Sequence, residues 1–167
     1  NLRHPEIKTT CLLSNISFNL YKGEILGVYG LMGAGRTELM ETIFGLHPKN
    51  ASGEIFVEES VKKIKSPCDA IKAGIALVPE DRKMQGLILN QSVSKNISLT
   101  ILQQLQQWGI MLSNTKEKAL SLNYISRLGI KTPSGNNAAQ NLSGGNQQKI
   151  VIAKWLATNP KILLLDE

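Results

Sequence analysis

An apolar run, Ile25-Leu26-Gly27-Val28-Tyr29, leads into Gly30-Leu31-Met32-Gly33-Ala34-Gly35-Arg36-Thr37, and residues 38–44 follow with apolar positions at helical spacing. Strand, glycine loop, helix: that order restricts the fold most, because a buried strand must deliver a turn free of bulky side chains to a helix N-terminus. Glycine lets backbone N–H groups approach a ligand, and the helix start carries partial positive charge, so the fitting ligand is a phosphate. The frame is G-x-x-x-x-G-K-[ST], with Gly30, Gly33, Ala34 and Gly35 in the loop, Thr37 placed to ligate magnesium, and Glu38 at its margin. Arg36 stands where that pattern has lysine. A guanidinium is a broad planar fork, not a compact point charge, so the loop is expected to hold terminal phosphates poorly. Losing one well-placed charged donor costs on the order of 3 kcal/mol, roughly a hundredfold in rate. Alone, the stretch also fits a glycine-rich turn without a ligand.

A second anion site is written at Leu142-Ser143-Gly144-Gly145-Asn146-Gln147-Gln148-Lys149. A serine and two glycines open a segment whose later residues, Ile150, Ile152, Ala153, Trp155, Leu156 and Ala157, are apolar at helical spacing, and Asn159-Pro160 ends it. Bare N–H groups and a hydroxyl at a helix start again suit phosphate. A flexible turn capped by Ser143 is the alternative for this octet alone. The chain then reads Lys161-Ile162-Leu163-Leu164-Leu165-Asp166-Glu167. A continuous apolar run ending in acid fits a central parallel strand with its carboxylates at the ligand edge of the sheet.

Between these motifs, period-two apolar residues predict a strand over 15–20, and a tight turn at 21–24 joins it to the run at 25–29. Residues 52–57 read as an exposed hairpin strand, with Lys62, Lys63 and Lys65 on a solvated face. Pro67 opens a short helix that Gly74 closes, and 75–78 is a buried strand running into Pro79-Glu80-Asp81-Arg82-Lys83. From 91 to 140 the pattern is helical: Val93, Ile97, Ile101, Leu102, Leu105 and Trp108 form one stripe broken at Gly109. A second helix starts at Asn114 with Glu117 as a capping partner and carries Leu120, Tyr124 and Leu128 before Gly129. A loop follows over 132–137.

The length of 167 residues, 42% of them hydrophobic, allows one substantial core with room for a subdomain and makes two full domains a poor fit. The net charge of +6 is spread along the chain, and aromatics make up only 5%, so nucleic-acid binding is not expected. Cys11 and Cys68 match no metal or redox spacing and read as free thiols of a reducing compartment. No leader and no run of bilayer length stands in the sequence, which points to a cytoplasmic chain.

The Ser143 octet resembles the signature of ATP-binding cassette (ABC) ATPases, usually Leu-Ser-Gly-Gly-Gln, and the other motifs agree with that family in order and spacing. The resemblance implies an α/β P-loop NTPase fold with a mainly parallel core sheet, an antiparallel β part and an inserted helical subdomain. It divides the chain into core at 1–90, helical subdomain at 91–140, and signature helix with final strand at 141–167. ATP and magnesium are the implied cofactors. Ser143, Gly144, Gly145 and Gln147 would touch the terminal phosphate of an ATP whose P-loop lies in a second cassette. Asp166 would hold magnesium and Glu167 would act as general base. Glu80 sits where most of the family has a glutamine that contacts metal and attacking water; a polar strand-end turn is the plainer reading of it. The family usually stacks an upstream aromatic on adenine, and here only His4 lies near that place.

Arg36, Glu80 and the Asn-Gln-Gln signature are together similar to the second cassette of tandem ATPases that power bacterial monosaccharide importers of the ribose, galactose and xylose type. That implies a membrane permease as partner, met through Met84, Leu87 and Leu89. It also implies a second cassette on the same polypeptide, a sugar-binding protein acting indirectly, and a place on the inner face of the cell membrane. The family continues past the Glu167 position, so the chain is expected to be a fragment. A soluble cassette that remodels ribosomes or nucleic acid, and a regulatory cassette without turnover, are the competing expectations.

Overall fold

Ser66, Ser92 and Ser113 each cap the start of a helix in the computed structural model, which describes residues 2–3, 11–107 and 111–166. These residues form two compact units, one of residues up to Leu77 together with Asp166, the other of Val78–Leu165.

In the first unit, β1 (Leu2–Arg3) pairs antiparallel with β2 (Cys11–Leu13), and helix α1 (Arg36–Ile43) packs on β2. Strands β3 (Ile55–Val57) and β4 (Ser60–Lys62) make the antiparallel hairpin expected near 52–57. Helix α2 (Pro67–Lys72) has Pro67 in its first turn, where a missing N–H costs nothing, and the Ser66 hydroxyl accepts from Asp69 N at 3.2 Å. Gly74 follows at φ +85°, and β5 (Ile75–Val78) is buried at all four residues, as its apolar run predicts.

The strands expected at 15–20 and 25–29 are not formed. Only the turn between them stands as expected, with Glu24 N donating to Tyr21 O at 3.0 Å. Ile25 is 97% exposed and Tyr29 99%. A strand is defined by its ladder, and residues 14–30 make no ladder pairing with any described residue. Their apolar character therefore lies unburied.

In the second unit, α3 (Val93–Ser98) packs against both α4 (Asn114–Arg127) and α5 (Gly144–Leu156). Val93, Ile97, Tyr124, Ile130, Ile150, Val151 and Ala153 form the core between them. Removing one of the larger aliphatic side chains there would cost roughly 2–5 kcal/mol. Asn96, 1% exposed, is buried because both ends of its amide are paired: Oδ1 accepts from Ile88 N at 2.8 Å, and Nδ2 donates to Ile88 O and Ser92 O at 3.0 Å each. The strand β8 (Ile162–Leu165) closes the described chain before Asp166.

Three further expectations for this unit are corrected. The stripe from Val93 is not one helix: α3 stops at Ser98, a 3-10 stretch continues over Leu99–Leu105 with non-helical backbone at Ile101, and a small hairpin, β6 (Gln106–Gln107) with β7 (Met111–Leu112), follows. Trp108 and Gly109 lie outside the described residues. Glu117 is no capping partner: the cap is Ser113, which accepts from Lys116 N, while the Glu117 carboxylate accepts from the buried Ser98 hydroxyl at 2.5 Å. Of the three expected docking residues only Met84 is strongly exposed, at 83%; Leu87 belongs to the core and Leu89 packs against it. Apolar surface so committed is not available to a partner.

Candidate nucleotide site

The glycine loop closes through a turn, Ala34 N donating to Leu31 O at 3.0 Å, and passes through Gly33 at φ +78° and Gly35 at φ +87° before α1 begins at Arg36. Gly35 has a second reason to be glycine: a Cβ there would lie 2.8 Å from Leu13 Cδ2. The loop is thus seated directly on β2, while Leu31 and Met32 at its tip stay exposed. A Cβ at Gly30 would stand 3.1 Å from Ala34 Cβ and 3.8 Å from Arg36 Cδ, so the start of the loop lies beside the stem of Arg36. Beside it runs an open groove of about 430 Å³, lined by Leu13, Phe18, Val28, Gly35 and Arg36 among others.

Thr37, in the first turn of α1, donates its hydroxyl to Asp166 Oδ1 at 3.3 Å. Asp166 is 7% exposed. A hydroxyl and a carboxylate held this close at the start of a helix are two hard oxygen donors of the kind magnesium takes. The residues present fit that ion. Glu38 lies in the same first turn, where its charge suits the helix N-terminus. Glu80 is exposed just past β5 and belongs to the other unit. Glu167 and His4 lie outside the described residues.

The second motif is built at the N-terminus of α5. Ser143 is the N-cap, yet its side chain caps no backbone N–H; its Oγ accepts instead from Asn146 Nδ2 at 2.9 Å. Gly144 and Gly145 form the first turn. A Cβ on Gly144 would come within 2.9 Å of Arg82 Nη2, so the guanidinium lies against the glycine backbone, and Arg82 Nε is buried with no hydrogen-bond partner. Arg82 is held there by a π-helical turn, Arg82–Gly86, which Asp81 starts by accepting from Lys83 N and Met84 N at 2.9 and 3.0 Å.

Gln147 does not join Ser143 as expected. It is 6% exposed, and its amide nitrogen donates to Ala139 O and Leu142 O at 3.2 Å each. The residues that do touch the serine and glycines are Asn146 and Arg82, which sequence reasoning missed. Asn146 was legible as the third residue after an N-cap serine, the place from which a polar side chain reaches back. For Arg82, no sequence signal pointed to Gly144.

A phosphate-type loop at α1, an oxygen pair behind it and a second serine-glycine helix start define a P-loop nucleotide-binding cassette of the α/β class. The chain belongs to the ABC transporter family, whose profile matches residues 13–167. Curated relatives include the ribose import ATP-binding protein RbsA of Rhodopirellula baltica, 45% identical over the whole chain and 32% of that protein. RbsA of Bacillus cereus is 50% identical over 92% of the chain and 31% of that protein. The xylose import ATP-binding protein XylG of Thermoanaerobacter pseudethanolicus is 48% identical over 97% of the chain and 32% of that protein. The chain therefore spans about a third of the length of these relatives. Among solved structures, the dimeric post-hydrolysis state of the ATP-binding cassette MJ0796 bound to ADP and Pi matches with a TM-score of 0.74 at 24% identity, over 93% of this chain and 66% of that one. The cassette cbiO1 from Clostridium perfringens, part of the transporter complex cbiONQ, matches with a TM-score of 0.71 at 25% identity, over 93% and 59%. Both carry the α/β fold expected from the motifs. Among the described residues no helix is long and apolar enough to cross a membrane.

Proposed function

We propose that this chain is part of the ATP-hydrolysing subunit of an importer of small monosaccharides, and that it binds magnesium-ATP at the Arg36 loop. The observation that carries the reading is the Thr37–Asp166 contact, which brings a loop hydroxyl to a buried carboxylate from the far end of the chain. The names of the ribose and xylose import relatives support the substrate class. Gly30, Gly33, Ala34, Gly35, Arg36 and Glu38 surround the nucleotide phosphates, and Thr37 and Asp166 hold the magnesium, which when bound draws charge from the terminal phosphate. Glu167 serves as the general base for the attacking water, and Glu80 as a second catalytic carboxylate.

Ser143, Gly144 and Gly145 serve a different ATP, whose P-loop belongs to a second cassette. The nucleotide core at 1–90, the helical subdomain at 91–140 and the signature segment at 141–167 divide the labour accordingly. With Arg36 in place of a lysine, this chain's own loop is the weaker of an asymmetric pair. Closure of the two cassettes on ATP drives a membrane permease, to which a sugar-binding protein delivers the solute, and the chain works at the inner face of the membrane. Nucleic acid has no part in this cycle.

Calorimetric titration of magnesium-ATP into the 167-residue chain tests the reading, beside Arg36→Ala and Asp166→Asn. Binding by the parent that both variants weaken at least tenfold is expected. A folded parent that releases no heat overturns it.

A further inference from the structure

Ser143 offers its ligand a hydroxyl, and whether that hydroxyl donates or accepts depends on what holds its oxygen. At a common helix N-cap the serine oxygen accepts from a backbone N–H two or three residues on, which consumes one of the donors at the helix start. Here no such bond forms, and Asn146 Nδ2 is the donor, at 2.9 Å. The other end of the same amide is fixed as well: Asn146 Oδ1 accepts from Lys131 N at 2.8 Å, in the segment after α4. A backbone N–H can only donate, so Oδ1 must face Lys131 and the NH₂ must face Ser143.

From this geometry we infer that Asn146 is a positioning residue that holds Ser143 as a hydrogen-bond donor toward a phosphate at the start of α5. The inference rests on the reading of Ser143, Gly144 and Gly145 as a phosphate site. A relay runs one way through it: Lys131 N–H to Asn146 Oδ1, Asn146 Nδ2–H to Ser143 Oγ, Ser143 O–H outward to an anionic oxygen. Because the side-chain amide replaces a backbone cap bond, the serine oxygen engages none of the N–H groups of the first turn, and with that oxygen accepting from Asn146 its own proton is the group left to reach outward. Asparagine is matched to the task by length. A glutamine carries the amide one methylene further, so it could not keep both the Lys131 and the Ser143 contacts without moving one of them.

Asn146→Asp is the decisive substitution. It is isosteric and keeps an oxygen for Lys131 N, but the oxygen replacing Nδ2 can only accept, so Ser143 must turn its proton inward. The probe is inorganic phosphate, titrated into the 167-residue chain at constant ionic strength made up with chloride and followed through the backbone amide resonances of Gly144, Gly145 and Asn146. Ser143→Ala and Asn146→Asp should each weaken phosphate binding about tenfold. Combined in one chain they should weaken it little further, because both remove the same donor. The Lys131 amide proton should stay protected in Asn146→Asp and lose protection in Asn146→Ala, while the Asn146 side-chain NH₂ resonances should shift in Ser143→Ala without any ligand.

If phosphate leaves the amides of the unsubstituted chain unmoved, the phosphate reading of this helix start falls and the inference with it. If phosphate binds and Asn146→Asp binds it equally well, the positioning role alone is overturned. A full further tenfold loss when Asn146→Asp is added to Ser143→Ala overturns it too, since the effect is then charge repulsion and not the serine. Side-chain NH₂ resonances of Asn146 that ignore Ser143→Ala do the same.

Discussion

Thr37 and Asp166 stand 129 positions apart in the chain, and the Thr37 hydroxyl donates to Asp166 Oδ1 at 3.3 Å. Neither residue alone makes a metal site; together they supply two hard oxygens at the mouth of a glycine loop. Asp166→Asn keeps the shape and removes the charge, so it should weaken magnesium-ATP binding at least tenfold while changing ATP binding in the presence of a chelator little. Thr37→Ser keeps the hydroxyl and should bind nearly as the parent does. Calorimetric titrations with and without magnesium separate the two variants.

Arg36 gives a second expectation. Its stem lies beside Gly30, which has no side chain to meet it, and a lysine stem would follow the same path. Arg36→Lys replaces a planar fork with a compact ammonium of the kind that fits between terminal phosphates. Tighter magnesium-ATP binding by about tenfold is expected, measured in the same titrations. Weaker binding would mean that the guanidinium is the better partner for this loop.

Two glycines whose added Cβ atoms meet neighbours at similar distances should respond very differently to alanine. At Gly45, φ is +83° and the Cβ would lie 2.8 Å from Ile64 Cγ2 and 2.9 Å from Ser66 backbone atoms, which cannot step aside. Gly45→Ala should cost roughly 2–4 kcal/mol in urea unfolding, from strain and overpacking together. At Gly144 the obstacle is the tip of Arg82, 2.9 Å away on a flexible side chain. Gly144→Ala should therefore cost no more than about 1 kcal/mol. Its effect on stability should vanish when Arg82→Ala is added.

Local signals were enough wherever a residue's partner lies within a turn or two. Pro67 after Ser66, Asn114 as the first helical residue and the run at Ile75–Val78 are all placed as the sequence implies, because capping and burial are encoded on the spot. The run at 25–29 was misread for the opposite reason: its strand character depends on ladder partners that no local pattern supplies. Gln147 carries two conflicting signals. It shares an i, i+3, i+4, i+7 stripe with Ile150, Val151 and Lys154, all buried on one face of α5, so its periodicity pointed inward while its motif suggested a ligand. The Arg82–Gly144 contact could not be read from sequence, since it depends on how the π-helical turn lies along α5.

Lys154 completes that buried face and makes stability depend on pH. It is 5% exposed, its Nζ donates to Gly86 O at 2.5 Å, and its ammonium lies 5.2 Å from the centre of the Trp155 ring. Burial lowers its pKa from 10.5 to about 8. Between those two values the unfolded chain binds more protons than the folded one, so the free energy of unfolding rises with pH across that window. Below about pH 8 the charged form is buried at full cost; above about pH 10.5 both states are neutral and that cost is gone. A pKa difference of this size corresponds to about 3 kcal/mol. Lys154→Met should remove this rise while giving up the Gly86 bond, which holds the π-helical turn against α5. Urea unfolding of parent and variant at pH 7, 8.5 and 10 measures it: the parent should gain on the variant at each step, and a constant difference would mean that the ammonium is not desolvated in the folded chain.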